Sequence, residues 1–173
     1  MNFLVNPGVS DRSKVEFVEV GLVKPYPNNP RTHSKKQIRQ IGASIRQFGW
    51  TNPILIDGTN GVIAGHGRLA AAKELGLTVV PVLRIEHMSE AEKRAYVVAD
   101  NKLAENAGWD ADLLRIELQG LEELDIEFDL EVTGFETGEI DVLLNTDTVP
   151  DADEPVPLPD TELKRFRGRE ICG

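Results

Sequence analysis

Residues 61–76 predict a strand that runs through a glycine turn into a helix, and this order constrains the fold more than any other feature of the chain. The apolar run at 62–64 is typical of a short strand. Gly65 and Gly67 permit backbone angles and close approaches that residues with a Cβ resist. The helix is predicted to open at about Arg68 and to stop at the glycine that ends the stretch.

This turn is a candidate anion site. A glycine turn at a helix start presents free backbone N–H groups and the positive end of the helix dipole, and Arg68 adds a forked cation at the same place. The chemistry favours phosphate. His66, inside the turn, would donate to a phosphate or act as a proton acceptor. A tight turn with a solvated arginine and an angle-tolerant histidine is the alternative interpretation of the same residues.

Asp100 and Asn101 form a second candidate group, near the end of a later predicted helix. A carboxylate beside a carboxamide offers oxygen ligands that suit Mg²⁺, which usually arrives with phosphates attached. The alternative interpretation is that both are ordinary polar residues on the protein surface and bind no metal.

Length and composition predict one globular domain with a tail. The chain has 173 residues, of which 40% are hydrophobic and 28% charged. No apolar run approaches a membrane span and residues 1–9 lack a signal-peptide layout, so a cytoplasmic setting is expected. The single Cys172 excludes an internal disulfide framework.

Charge is divided unevenly between the two halves. Residues 1–94 carry 13 Lys and Arg against 8 Asp and Glu, whereas residues 95–173 carry 6 against 21. The amino-terminal half would therefore face a polyanion such as DNA, and the carboxyl-terminal half would repel one. The basic residues of the first predicted helix are explained either by a solvated face or by a nucleic-acid contact.

Local signals place the remaining elements. Ser34 is a predicted N-cap for a helix to Phe48, and Ser89 with Glu92 has capping-box spacing for a helix towards Glu105. The other predicted elements are strands near 15–23, 53–56, 62–64 and 79–85, and helices at 111–121 and 136–144. The predicted organisation is a flexible lead-in (1–14), a main domain (15–106), a helical extension (107–145), and a disordered acidic, proline-rich linker and tail (146–173).

Four sequence blocks then occur in a recognisable order. They are Asn29-Pro30-Arg31, residues 44–54, Gly65 to Ala71, and Asp100-Asn101. Together they resemble the ParB N-terminal domain, the ParB-like nuclease or ParB/sulfiredoxin family, over roughly residues 15–106.

The resemblance implies an α+β fold, a small mixed sheet with packed helices, that binds a nucleoside triphosphate with Mg²⁺. In that family the turn at Gly65, His66, Gly67 and Arg68 would meet the phosphates. Asp100 and Asn101 would reach phosphate or its Mg²⁺, and Arg31 would flank the pocket.

The chain also differs from two branches of the family. ParB proper carries Glu-Arg-Arg where this chain has His66-Gly67-Arg68, and no helix-turn-helix pair is predicted downstream. Sulfiredoxin carries its catalytic cysteine at the place of His66, so its chemistry is excluded here because the nucleophile is missing.

A phage and mobile-element version of the domain, often fused ahead of a DNA methyltransferase, is similar at three further segments. These are Gly65 to Arg68, Ala99 to Lys102 and Thr133 to Phe135. The expected function is a nucleotide-binding module that acts on or near DNA, associated with DNA modification. One alternative is a metal-dependent nuclease or nucleoside triphosphatase with His66 as catalytic general base. The other is a non-catalytic adaptor for a DNA methyltransferase.

Overall fold

Four short strands form one mixed sheet, with helices packed around it. The computed structural model describes residues 14–124 and 126–145. Its elements are β1 (Val15–Glu19), α1 (Lys35–Phe48), β2 (Ile54–Ile56), β3 (Val62–Ala64), α2 (His66–Glu74), β4 (Val79–Arg84), α3 (Glu90–Glu105), α4 (Ala111–Glu123) and α5 (Thr137–Asn145), with 3₁₀ turns at Val20–Leu22 and Leu130–Thr133. The predicted α+β class with a small mixed sheet is confirmed. The predicted tail at 146–173 and most of the predicted lead-in lie outside the described residues.

The sheet order is β1-β4-β2-β3. β4 pairs antiparallel with β1 and parallel with β2, while β2 and β3 form an antiparallel hairpin with an irregularity in register. Because β2 and β4 are parallel, the chain has to cross over between them, and α2 lies in that crossover. Its Leu69 and Ala72 join the buried core of the sheet, whose largest fully buried side chains are Ile54, Ile56, Val80 and Val82.

Helix α1 packs against α2 at close range. Its N-terminus is capped by Ser34, whose Oγ accepts from Gln37 N at 3.1 Å. A Cβ added at Gly67 would lie 2.9 Å from Ile41 Cδ1, so the glycine allows the two helices to approach this closely.

Helix α2 begins at His66, two residues before the predicted start at Arg68. Gly65 is its N-cap and takes a left-handed conformation with φ 98°. Both glycines of the turn fitted a helix start. In the structure Gly65 forms the turn, and Gly67 allows the close contact between α1 and α2.

Two ion pairs help to attach helix α3 to the rest of the fold. Near its start, Lys93 Nζ lies 3.1 Å from the Asp57 carboxylate, and at its end Glu105 pairs with Arg31 at 2.8 Å. The Ser89–Glu92 capping box begins the helix as predicted.

Asp57 also closes the β2–β3 turn. Its carboxylate accepts from the backbone N–H groups of Thr59 and Gly61 at 2.8 and 2.9 Å. Burial alone would raise the pKa of Asp57, but these hydrogen bonds, with those from the Thr59 hydroxyl and Lys93, hold it well below its usual range. One carboxylate therefore fixes both the hairpin and the start of α3.

Helices α4 and α5 pack on each other, with Leu118 and Ile140 buried. Asp110 caps α4 by accepting from the N–H groups of residues 112 and 113. The 3₁₀ turn between the two helices packs against α1. Among the described residues, no helix combines the length and the hydrophobicity needed to cross a bilayer.

Candidate functional site

The centre of the candidate site is the Arg68 guanidinium at the open N-terminus of α2. The side chain folds back over Gly65, so that a Cβ at that position would lie 3.2 Å from Arg68 Nε. Arg68 Nη1 donates to the carbonyl oxygen of Asn52 at 2.9 Å, which ties the loop after α1 to the start of α2. The N-cap is a glycine, so the cap residue has no side chain to bind the free N–H groups of the first turn.

Arg68 and Asp100 lie on the same side of the domain. Both line a cavity of about 170 Å³ at the glycine turn and an adjoining cavity of about 870 Å³ that extends towards the loop after α1. Burial lowers the pKa of Arg68 from its ordinary value, and the negative charge of Asp100 acts in the opposite direction. Arg68 stays charged at neutral pH because a guanidinium holds its proton in proteins.

Tyr96 lies beside the Asp100 carboxylate. It comes one helical turn before Asp100 on α3, close enough for the two side chains to interact. Burial raises the pKa of Tyr96 first, and the charge and hydrogen bond of Asp100 raise it further. Tyr96 therefore stays neutral beside Asp100, with a hydroxyl that can donate to the carboxylate. Sequence reasoning missed it, although the spacing of four residues on one helix face was an available signal.

Asn101 joins the smaller cavity beside Asp100. Its Nδ2 donates to Val97 O at 2.7 Å, which commits one of its two amide protons to the helix and leaves the side-chain oxygen to a ligand.

Arg31, in contrast, is not among the residues that line either cavity. Its Nη1 donates to Glu105 at 2.8 Å and lies 3.4 Å from Asn101 O, so it holds the loop before α1 against the end of α3.

His66 lines the smaller cavity and is already engaged. Its Nε2 lies 3.2 Å from Tyr26 N, a backbone donor, so Nε2 accepts and the ring proton of the neutral form is on Nδ1. Burial lowers the pKa of His66, and the nearby His33 lowers it further. A neutral ring with its proton on Nδ1 fits a donor to phosphate better than a general base acting through Nε2. The catalytic assignment of His66 stays a prediction.

Two more contributors were not predicted. His33 lines the smaller cavity and packs on the position of Gly67, 3.1 Å from a Cβ placed there, and its Nδ1 lies 3.0 Å from Gln37 Oε1. Asn52 supplies the carbonyl that holds Arg68. Asn52 lies within the recognised block 44–54 and His33 lies close to another, but the contacts of His33 with Gly67 and of Asn52 with Arg68 join segments that are separate in the sequence.

A magnesium ion would meet the Asp100 carboxylate and the Asn101 oxygen at the rim of the smaller cavity. In the part of the chain that the structure describes, no three His, Cys, Asp or Glu side chains group together to hold a metal. The oxygen chemistry of the pair nevertheless suits Mg²⁺.

Comparison with known proteins assigns two parts of the chain. Residues 7–102 match the ParB N-terminal domain, and residues 112–164 match the ParB-methyltransferase HTH domain. The expectation that no helix-turn-helix follows is therefore wrong. The signal was weak because helix-turn-helix pairs are usually joined by three or four residues, whereas α4 and α5 are separated by residues 124–136.

Relatives agree with this assignment. The chain is 42% identical over 86 residues to the ParB-like nuclease domain-containing protein YnaK of Escherichia coli, which covers 50% of this chain and 99% of that protein. It is 28% identical over 105 residues to stage 0 sporulation protein J of Bacillus subtilis, covering 58% of this chain and only 37% of that protein.

A solved structure has the same fold. The C-terminally truncated chromosome-partitioning protein ParB of Caulobacter crescentus, complexed with CTP-γ-S, aligns with a TM-score of 0.62 at 20% identity, covering 76% of this chain and 77% of that one. The matched residues, the shared fold and the glycine turn with its arginine lead to one conclusion: the chain belongs to the ParB N-terminal domain family.

Proposed function

We propose that this chain binds a nucleoside triphosphate, with the phosphates at the N-terminus of α2, and that it acts on or near DNA. The observation that carries the proposal is the position of Arg68. Its guanidinium lies over an uncapped helix start, in the wall that two adjoining cavities share, and Asp100 lies on the same wall.

The smaller cavity has the chemistry of a phosphate site. Free N–H groups of the first turn of α2 and the helix dipole favour an anion, and the Arg68 fork adds charge-assisted hydrogen bonds. His66 adds a neutral Nδ1–H donor. A phosphate chain brings more negative charge than one arginine neutralises, so the Asp100 and Asn101 oxygens would hold Mg²⁺ rather than meet phosphate directly. The ion would neutralise charge on the phosphate oxygens.

The larger cavity has the size of a nucleoside site. Its volume of about 870 Å³ falls within the range of roughly 300–1,000 Å³ that is typical of ligand pockets. Trp50 and Leu55 supply apolar surface, and Asn52 supplies polar groups. The CTP-γ-S complex of the Caulobacter ParB supports a nucleotide as the ligand.

DNA association rests on the helix-turn-helix match rather than on α1. Lys36 of α1 pairs with Glu136, and Arg39 borders a cavity with Asp129 and Glu131. Acidic residues of the same chain cover part of this basic helix, so the support for DNA association is the match of residues 112–164 to a helix-turn-helix domain. That region contains 17 acidic and two basic side chains, so a contact with DNA there has to overcome charge repulsion.

Arg68→Ala tests the nucleotide proposal by titration calorimetry with CTP, ATP, GTP and UTP in Mg²⁺. Removal of hydrogen bonds to a charged ligand is expected to weaken binding by about 10–100-fold. The matched control is Arg84→Ala, because Arg84 also makes several hydrogen bonds, to Asp57 O, Asn60 and Glu16, but lines neither cavity. Wild type that binds none of the four, or Arg68→Ala that binds as tightly as Arg84→Ala, contradicts the proposal.

The same samples test hydrolysis. Release of phosphate from the bound triphosphate by wild type, lost in His66→Gln, would favour the triphosphatase alternative with His66 as the base. Binding without release would leave the site as a sensor of nucleotide.

The methyltransferase adaptor is a second candidate because residues 112–164 match a domain described by that association. A DNA methyltransferase that co-purifies with the full chain, and not with a chain ending at residue 110, would support it. Equal recovery with both chains would contradict it.

A further inference from the structure

Helix α1 and the segment after α4 have opposite charges and face each other. Residues 35–48 contain four basic and no acidic side chains, whereas residues 126–136 contain four acidic and no basic ones. Lys36 forms an ion pair with Glu136. Attraction between the two elements therefore favours docking of this acidic segment, residues 126–136, on α1.

Two uncharged contacts fix the position of the acidic segment. Gln40 Nε2 donates to Gly134 O at 3.0 Å, and the rings of Phe48 and Phe128 meet edge to face with centroids 5.7 Å apart. Gly134 has φ 100°, a left-handed conformation that favours glycine and ends the 3₁₀ turn. Phe135 then packs on Trp109, with ring centroids 5.4 Å apart. The Thr133–Phe135 motif is thus a turn held from both sides.

The docked turn also forms part of the ligand cavity. Val132, Thr133 and Gly134 line the same 870 Å³ cavity as Arg68 and Asp100. These three residues belong to the region that matches the helix-turn-helix domain, not to the ParB N-terminal match. A ligand in this cavity would therefore contact both matched regions.

We propose that the acidic segment is the second wall of the nucleoside site, so that ligand binding and its docking on α1 stabilise each other. The inference rests on the proposed function and deepens it. If docking raises the affinity for the ligand by some factor, the ligand must stabilise docking by the same factor, because binding free energies are reciprocal. The nucleotide would thereby fix how the helix-turn-helix region sits against the first domain.

Charge reversal at the ion pair tests the linkage. Lys36 and Glu136 line neither ligand cavity, so Lys36→Glu and Glu136→Lys change docking without removing a ligand contact. Each single variant is expected to bind the triphosphate about three- to tenfold more weakly, since a like-charge pair replaces an attractive one. The double variant restores the pair and is expected to bind within about twofold of wild type. Lys35→Glu is the matched control, because it makes the same charge change one residue away.

Hydrogen exchange gives a second readout. Addition of the magnesium salt of the bound triphosphate is expected to slow exchange of the amides of residues 126–136 in wild type, and to slow it less in Lys36→Glu. Wild type that binds a triphosphate while Lys36→Glu binds no more weakly than Lys35→Glu overturns the linkage alone. So does a double variant as weak as the singles, or exchange unchanged by ligand. Wild type that binds no triphosphate removes the proposed function, and the linkage with it.

Discussion

The N-termini of α1 and α2 lie close together, but their caps differ. At α1 the Ser34 hydroxyl accepts a hydrogen bond from a backbone N–H of the first turn. Ser34 itself has φ −68° and ψ 156°. At α2 the cap is Gly65, with φ 98° and no side chain, and the Arg68 guanidinium lies above it. The two helix starts thus differ, because a cap side chain accepts from a backbone N–H at α1 whereas the glycine cap of α2 has no side chain to do so, and the proposed anion site is at α2.

Gly65→Ala is expected to have the largest effect on this contrast. A left-handed alanine costs about 1–2 kcal/mol, and its Cβ, 3.2 Å from Arg68 Nε, would displace the guanidinium. We expect lower stability in urea unfolding and roughly tenfold weaker triphosphate binding by calorimetry. Gly76→Ala is the control, since Gly76 has φ 68° with nothing within 4 Å of an added Cβ. It should lose similar stability and keep its affinity; equal affinities in the two variants would count against the open helix start.

Ser34→Ala removes the cap of α1 and is expected to cost about 1 kcal/mol of unfolding free energy, measured by urea titration. Ser34→Gly should cost only a few tenths of a kcal/mol. Because the start of α1 stabilises the fold and is not proposed to bind the ligand, the affinity for triphosphate should change less than twofold in both variants. Ser34→Ala that weakens binding as strongly as Gly65→Ala would remove the distinction between the two helix starts.

The pH dependence of His66 is expected to be the smallest effect. Burial and the nearby His33 lower the pKa of His66 in the folded chain. The unfolded state therefore binds the proton more readily, and the stabilising contribution of neutral His66 falls as pH drops below about 6.5, the unfolded value. His66→Gln keeps an acceptor for Tyr26 N but does not titrate. We expect wild type to lose stability relative to His66→Gln between pH 7.5 and 5.5, measured by urea unfolding. If the free energies of unfolding of the two proteins fell equally over this range, the lowered pKa of His66 would be contradicted.

Local signals predicted most of the fold. The Ser34 cap, the Ser89–Glu92 capping box and the β2–β3 turn each depend on residues within four positions, and the structure contains all three. The start of α2 was misplaced by two residues because Gly65 and Gly67 both fit a turn; the left-handed φ of Gly65 and the packing of Ile41 and His33 on Gly67 distinguish them.

The candidate site could be predicted only in part, because sequence patterns indicate contacts between residues that are close in the chain. The glycine turn with Arg68 is local in sequence, and Asp100 was joined to it through the family resemblance. The contacts that the sequence did not reveal are long-range. Arg31 pairs with Glu105 across 74 positions, and Gln40 meets Gly134 across 94 positions. Patterns of neighbouring residues carry no information about such pairs.

The two attachments of α3 have a consequence for how the cavity adapts to its ligand. The helix has 16 residues and is about 24 Å long at 1.5 Å per residue. Asp100 lies between its fastened ends, at Lys93 and at Glu105. Tilting the helix would break one of these ion pairs, whereas Arg68 has a long side chain with several rotatable bonds. Ligands of different length should therefore be accommodated by different conformations of the Arg68 side chain, while α3 keeps its position.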